Sequence, residues 1–94
     1  MPVDPIGIGA MSAPPTPTTN GALLTVPAGT AAVRLYLATG ASITYTVAHD
    51  QPNAAPAALF TVAATSPVTF DEPLAAGQQV FVTAVAGTVL YRAL

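Results

Sequence analysis

The chain contains no cysteine, no lysine and no tryptophan, and of its 94 residues only Asp4, Arg34, Asp50, Asp71, Glu72 and Arg92 carry a formal charge. Without cysteine, neither a disulfide nor a thiolate metal site can staple so small a fold. Two arginines and a net charge of −2 release too few counterions for phosphate-backbone binding, so nucleic acid is not an expected partner. Long apolar runs are missing as well. A membrane-spanning helix needs about 18 or more consecutive apolar residues, and Thr, Pro, Gly, Ser or Gln interrupts every candidate stretch; no membrane partner is expected. No Lys or Arg precedes Arg34, and the apolar stretch over residues 6–11 is broken by glycine. The basic start of a secretory signal is thus lacking, and the expectation is cytoplasmic synthesis without processing beyond loss of Met1.

The inventory for chemistry is equally thin. General acid–base work needs carboxylates or histidine converging in a pocket, and His49-Asp50, the one adjacent acid–imidazole pair, lies in a proline-rich stretch suited to a loop. Ser12, Ser42 and Ser66 lack the strained, glycine-flanked elbow of an acyl-transfer serine. Asp71-Glu72 with Asp50 would supply only part of a calcium site. The expectation is a protein without catalytic residues, cofactor or metal.

What is abundant is apolar and small: 52% of residues are hydrophobic, many of them alanine. A domain that diffuses freely keeps about a quarter of its residues charged, so a chain with 6% charged residues is suited to work against other protein surfaces.

The first twenty residues hold five prolines and two glycines and show no sustained apolar period. Proline fixes φ and extends the residue before it, which predicts an extended, polyproline-like arm over residues 1–20. Val3, Ile6, Ile8 and Met11 give this arm apolar side chains with which to dock. From residue 21 the pattern changes to short β-branched and aromatic runs separated by Gly and Pro. Strands are predicted over 23–26, 32–38, 42–48, 59–63, 68–70, 79–85 and 88–93. In the second, Val33, Leu35 and Leu37 share one face and Arg34 and Tyr36 the other; in the third, Ile43, Tyr45 and Val47 oppose Ser42, Thr44 and Thr46. Pro27-Ala28-Gly29 reads as a turn with Pro second, Asp71-Glu72-Pro73 as another turn, and residues 49–56 as the most exposed loop. The echo between Val26-Pro27-Ala28-Gly29 and Leu74-Ala75-Ala76-Gly77 suggests two similar hairpins, and Ala86-Gly87 a final hairpin onto residues 88–93. The fold class is all-β: a small antiparallel sandwich or barrel of about seven short strands over 21–94, behind the arm.

Arg34 and Arg92 sit between apolar neighbours and suit interface ion pairs. Tyr36, Tyr45 and Tyr91 suit either cross-strand packing or a contact patch open to sugars. The interface candidates are Val3, Ile6, Ile8, Met11, Arg34, Tyr36 and Arg92.

The proline- and threonine-rich arm, the run LTVPAGTAAVRLYLATGASITYTV, the Pro/Asn loop and the run PLAAGQQVFVTAVAGTVLYRAL resemble the small auxiliary virion proteins of tailed bacteriophages, capsid decoration or cement proteins in particular. The likeness lies in composition and strand pattern across residues 21–94. It implies a head-stabilising protein bound in many copies to a major capsid protein and to copies of itself, as a symmetric homo-oligomer on the head surface of the virion. A host-glycan or receptor-binding module of a head fibre or tail is the alternative, and an integral minor shell or connector component a further one.

Overall fold

The computed structural model describes residues 11–94. Among these there is no helix, and seven strands form two antiparallel sheets: β1 (Ala22–Leu23), β2 (Ala32–Leu37), β3 (Ser42–Ala48), β4 (Phe60–Ala63), β5 (Val68–Pro73), β6 (Gln79–Ala86) and β7 (Val89–Ala93). One sheet has the order β1-β6-β3-β4 and the other β5-β2-β7. The two faces enclose a single core, as in a sandwich. The alternation read from the sequence holds along β2, where Val33, Leu35 and Leu37 are buried, and over the start of β3, where Ile43 and Tyr45 are; beyond them Thr46 of the opposite face is buried too and Val47 only partly. Val80 and Val82 of β6, Val89 and Tyr91 of β7, and Leu24 complete the core.

Three local expectations are corrected. Residues 71–73 are not a turn but the end of β5, paired with β2 through Arg34↔Asp71, Val33↔Glu72 and Ala32↔Pro73. A proline is tolerated there because β5 is an edge strand and Pro73 its last residue. In the 27–30 turn, the Thr30 amide donates to the Pro27 carbonyl over 3.3 Å, which puts Pro27 first and Gly29, at φ +82°, third. The segments after Gly29 and Gly77 do not build hairpins, and neither does Gly87. β1 and β2, β5 and β6, and β6 and β7 belong to opposite sheets. Glycine with positive φ in the third place is the type II geometry, seen again at Gly77 (φ +81°) with Gln78 donating to Ala75 over 3.0 Å. A two-residue hairpin needs the mirror-image twist, and type II turns splay their flanking strands. Here they pass the chain across the core.

The echo in the sequence thus has a spatial counterpart. Exchanging β1, β2 and β3 with β5, β6 and β7 leaves the pairing pattern unchanged: β1–β6 maps to β5–β2, and β3–β6 to β7–β2. β4, beside β3, corresponds to Ser12, which forms an isolated antiparallel bridge with Tyr91 of β7. The two tyrosines Tyr45 and Tyr91 occupy matching places, the hydroxyl of one reaching Glu72 of β5 and that of the other Thr25, just past the end of β1. A bulge in the β3–β6 ladder between Thr44 and Tyr45 also departs from the match.

The outer face of β6 has its own fixed point. Phe81 is buried there, and a Cβ placed on Gly21, whose φ is +90°, would lie 2.6 Å from the Phe81 Cβ. Gln51 donates from the 49–56 loop to the Gly21 carbonyl over 2.5 Å. Gly21→Ala is therefore expected to cost about 2–4 kcal/mol, combining positive-φ strain with overpacking. Gly40→Ala, which meets nothing within 4 Å, should cost only about 1–2 kcal/mol. Urea unfolding of the two variants measures the difference, and equal losses would show that the Phe81 contact is not limiting.

Candidate interaction surface

The outer face of the three-stranded sheet gathers the predicted interface residues that lie in the described part of the domain. Arg34 and Tyr36 project from β2, the central strand, away from the core. Arg92 pairs with Arg34, and Leu90 with Tyr36, across β7. On the other side Asp71 and Thr69 of β5 stand opposite Arg34 and Tyr36. Two rows result, Asp71–Arg34–Arg92 and Thr69–Tyr36–Leu90. Among the described interface candidates, Met11 is half-buried beside the Ser12 bridge. Val3, Ile6 and Ile8 lie outside the described residues.

Arg34 grips Asp71 with both ends of its fork, Nε to Oδ1 at 2.8 Å and a terminal nitrogen to Oδ2 at 3.1 Å. The hydrogen bonds and the positive charge hold the Asp71 carboxyl below the usual carboxylate range, and the same contact raises the Arg34 guanidinium further. It is the sole ion pair among the described residues. Arg92 therefore faces Arg34, a like charge, directly across the strand pair. Asp71 offsets the charge of Arg34, while Arg92 has no carboxylate partner among the described residues and is open to an anionic group. Leu90 was missed in the sequence, although the two-residue period of 88–93 places it on the Arg92 face.

Asp71 and Glu72 point in opposite directions, as neighbours on a strand must. Asp71 lies outside with Arg34, whereas Glu72 accepts a short hydrogen bond from the Tyr45 hydroxyl on the inner side. They cannot converge on one cation, and among the described residues no three His, Asp or Glu side chains cluster as metal ligands would. His49 and Asp50 are exposed in their loop.

The three tyrosines do not form one patch. Tyr45 and Tyr91 are buried, and only Tyr36 faces outward. Tyr91 Oη accepts from the Thr25 amide at 3.2 Å and donates to the Thr25 carbonyl at 3.3 Å. Tyr45 is tied more tightly, and its ring lies 5.5 Å from that of Phe60. No family model, curated protein or solved structure matches the chain.

Burial, reinforced by Glu72, pushes the Tyr45 hydroxyl well above the ordinary phenol range. A folded-state value raised in this way contributes stability that is fully present below the unfolded tyrosine pKa of about 10 and is lost as pH rises through the folded value. Tyr45→Phe should cost about 1.5–3 kcal/mol at neutral pH, because it removes a donor from a carboxylate. Tyr91→Phe, with longer bonds to neutral groups, should cost about 0.5–1.5 kcal/mol. Unfolding measured from pH 7 to 11 should also show a shallower alkaline decline for Tyr45→Phe than for the parent chain. A parallel decline would remove Tyr45 as its source.

Proposed function

We propose that the chain is a structural virion protein, a capsid decoration or cement protein that binds the shell of a tailed bacteriophage in many copies and stabilises it. The observation that carries this reading is the distribution of its scarce charge. Six charged residues serve the whole chain, and two of them neutralise each other at Arg34–Asp71. The surrounding face offers Tyr36, Leu90 and an arginine set against a like charge. Tyrosine and arginine are the side chains enriched where protein interfaces are strongest, and charged residues are depleted from interface cores. Many weak copies add through multivalency, so each subunit needs only a modest contact.

The alternative reading, a host-glycan or receptor-binding module, loses support with Tyr45 and Tyr91 in the core. It rests on Tyr36 and the exposed 49–56 loop. An integral shell or connector component would use the same sheet face and differ in copy number.

Removing residues 1–20 should abolish incorporation into particles and leave a folded β domain, destabilised by about 1–3 kcal/mol through loss of the two main-chain bonds between Ser12 and Tyr91. Arg92→Glu should reduce occupancy without changing the unfolding midpoint by more than a surface substitution does. Gradient sedimentation of a lysate, read for the ratio of this chain to the major shell protein, checks both. Undiminished occupancy in both variants would sink the decoration reading.

A further inference from the structure

The two sheets have four edge strands, and three of them are blunted. β1 is only two residues long. β5 carries Asp71, Glu72 and the terminal Pro73. β7 is met by Ser12, and prolines at 14, 15 and 17 follow at once, so the ladder cannot extend past Ser12 toward Val89. β4 has no such protection. Its sequence, Phe60-Thr61-Val62-Ala63, holds no charge and no proline, the two devices by which natural sheets discourage edge pairing. The same edge exposes apolar surface: among the described residues, Leu59 and Phe60 are two of the five large hydrophobic residues most open to solvent.

The main chain of β4 has free capacity. β4 pairs with β3 in the register Ile43↔Val62 and Tyr45↔Phe60. Just beyond the ladder, Ala64 donates to the Ala41 carbonyl over 2.9 Å. Antiparallel ladders alternate hydrogen-bonded and non-bonded pairs, so Phe60 and Val62 turn their amides and carbonyls toward β3. Thr61 and Ala63 turn theirs outward.

We infer that β4 is the site at which two copies of this chain associate, edge to edge across a two-fold axis at Val62. Two features of the edge select a second copy as the occupant. The outward groups lie two residues apart, so an antiparallel copy centred on Val62 sets Thr61 against Ala63 twice and forms four main-chain hydrogen bonds. No charged residue occurs between Asp50 and Asp71, so the self-apposed strands bring no like charges together. The four-stranded sheet becomes eight-stranded, and Val62 meets its own copy. The inference depends only on the edges of the domain and goes beyond the virion reading. Its test uses the isolated protein, so failure to bind a shell and failure to dimerise are separate results.

Sedimentation equilibrium of the full chain should show a monomer–dimer equilibrium, with the dimer populated at concentrations on the order of 100 μM. A chain that is monomeric throughout that range overturns the inference. Amide exchange locates the contact: the Thr61 and Ala63 amides should slow as concentration rises, while those of Phe60 and Val62 are protected at every concentration. Dimers in which Thr61 and Ala63 stay fast would place the interface elsewhere and overturn it equally. Ala63→Pro removes an outward donor and leaves the β3 ladder donors in place, and Ala63→Lys sets a charge on the edge. Each should weaken dimerisation at least roughly tenfold with near-UV dichroism unchanged. The lysine variant keeps the test decisive if proline disturbs the strand, and an unweakened lysine dimer would rule out the β4 edge.

Discussion

Among the described residues, every strand pairing joins the first half of the chain to the second. β1 pairs with β6, β2 with β5 and β7, β3 with β4 and β6, and Ser12 with Tyr91. No two strands of residues 12–48 are hydrogen-bonded to each other, and no two of residues 60–93. Neither half can close a ladder alone, and all the backbone groups satisfied in sheets depend on contacts distant in sequence. A fold of this kind gains little from local structure before the chain has closed on itself, which raises the entropic barrier to folding. It also makes the core a joint product: Val33, Leu35 and Leu37 from one half pack with Val80, Val82 and Val89 from the other.

That constraint explains which parts of the fold were legible in the sequence. Strand positions and faces follow from alternation of side chains along a single segment, so β2, β3 and β6 were located closely, and Arg34 and Tyr36 were assigned to the outer face from their own strand. Strand partners are set by turn twist and by the remote strand that covers each apolar face. For that reason the glycine turns at 29, 77 and 87 have the composition of hairpins and yet are crossings. Asp71-Glu72-Pro73 has a turn-like composition, yet it extends β5, because an edge strand tolerates a charge and a terminal proline that a central strand would not. The meeting of Arg92 with Arg34, the burial of Phe81 under Gly21 and the separation of Tyr36 from the other two tyrosines all arise from topology. No local pattern encodes them.

The outer face of the three-stranded sheet and the bare edge of the four-stranded sheet belong to different sheets and differ in chemistry. The face presents side chains: a guanidinium set against a like charge, a phenol and a leucine. The edge presents backbone with uncharged side chains, Phe60 among them. A subunit with two such surfaces can meet an unlike protein through one and its own kind through the other without competition between them. This division is consistent with an assembly role, and it lets low overall charge act as an aid to packing while Arg34 and Asp71 keep the face itself ordered.

The internal symmetry is imperfect where Pro14 and Pro15 follow Ser12. In the matching position of the second half, β4 runs for four residues as a full strand; at the first half the prolines stop the ladder after one bridge. A perfectly symmetric chain would carry two open edges, and copies joined at both would propagate into a fibre. Among the described residues the two prolines leave β4 as the one unblunted edge, so association there, as inferred above, would join two copies and no more.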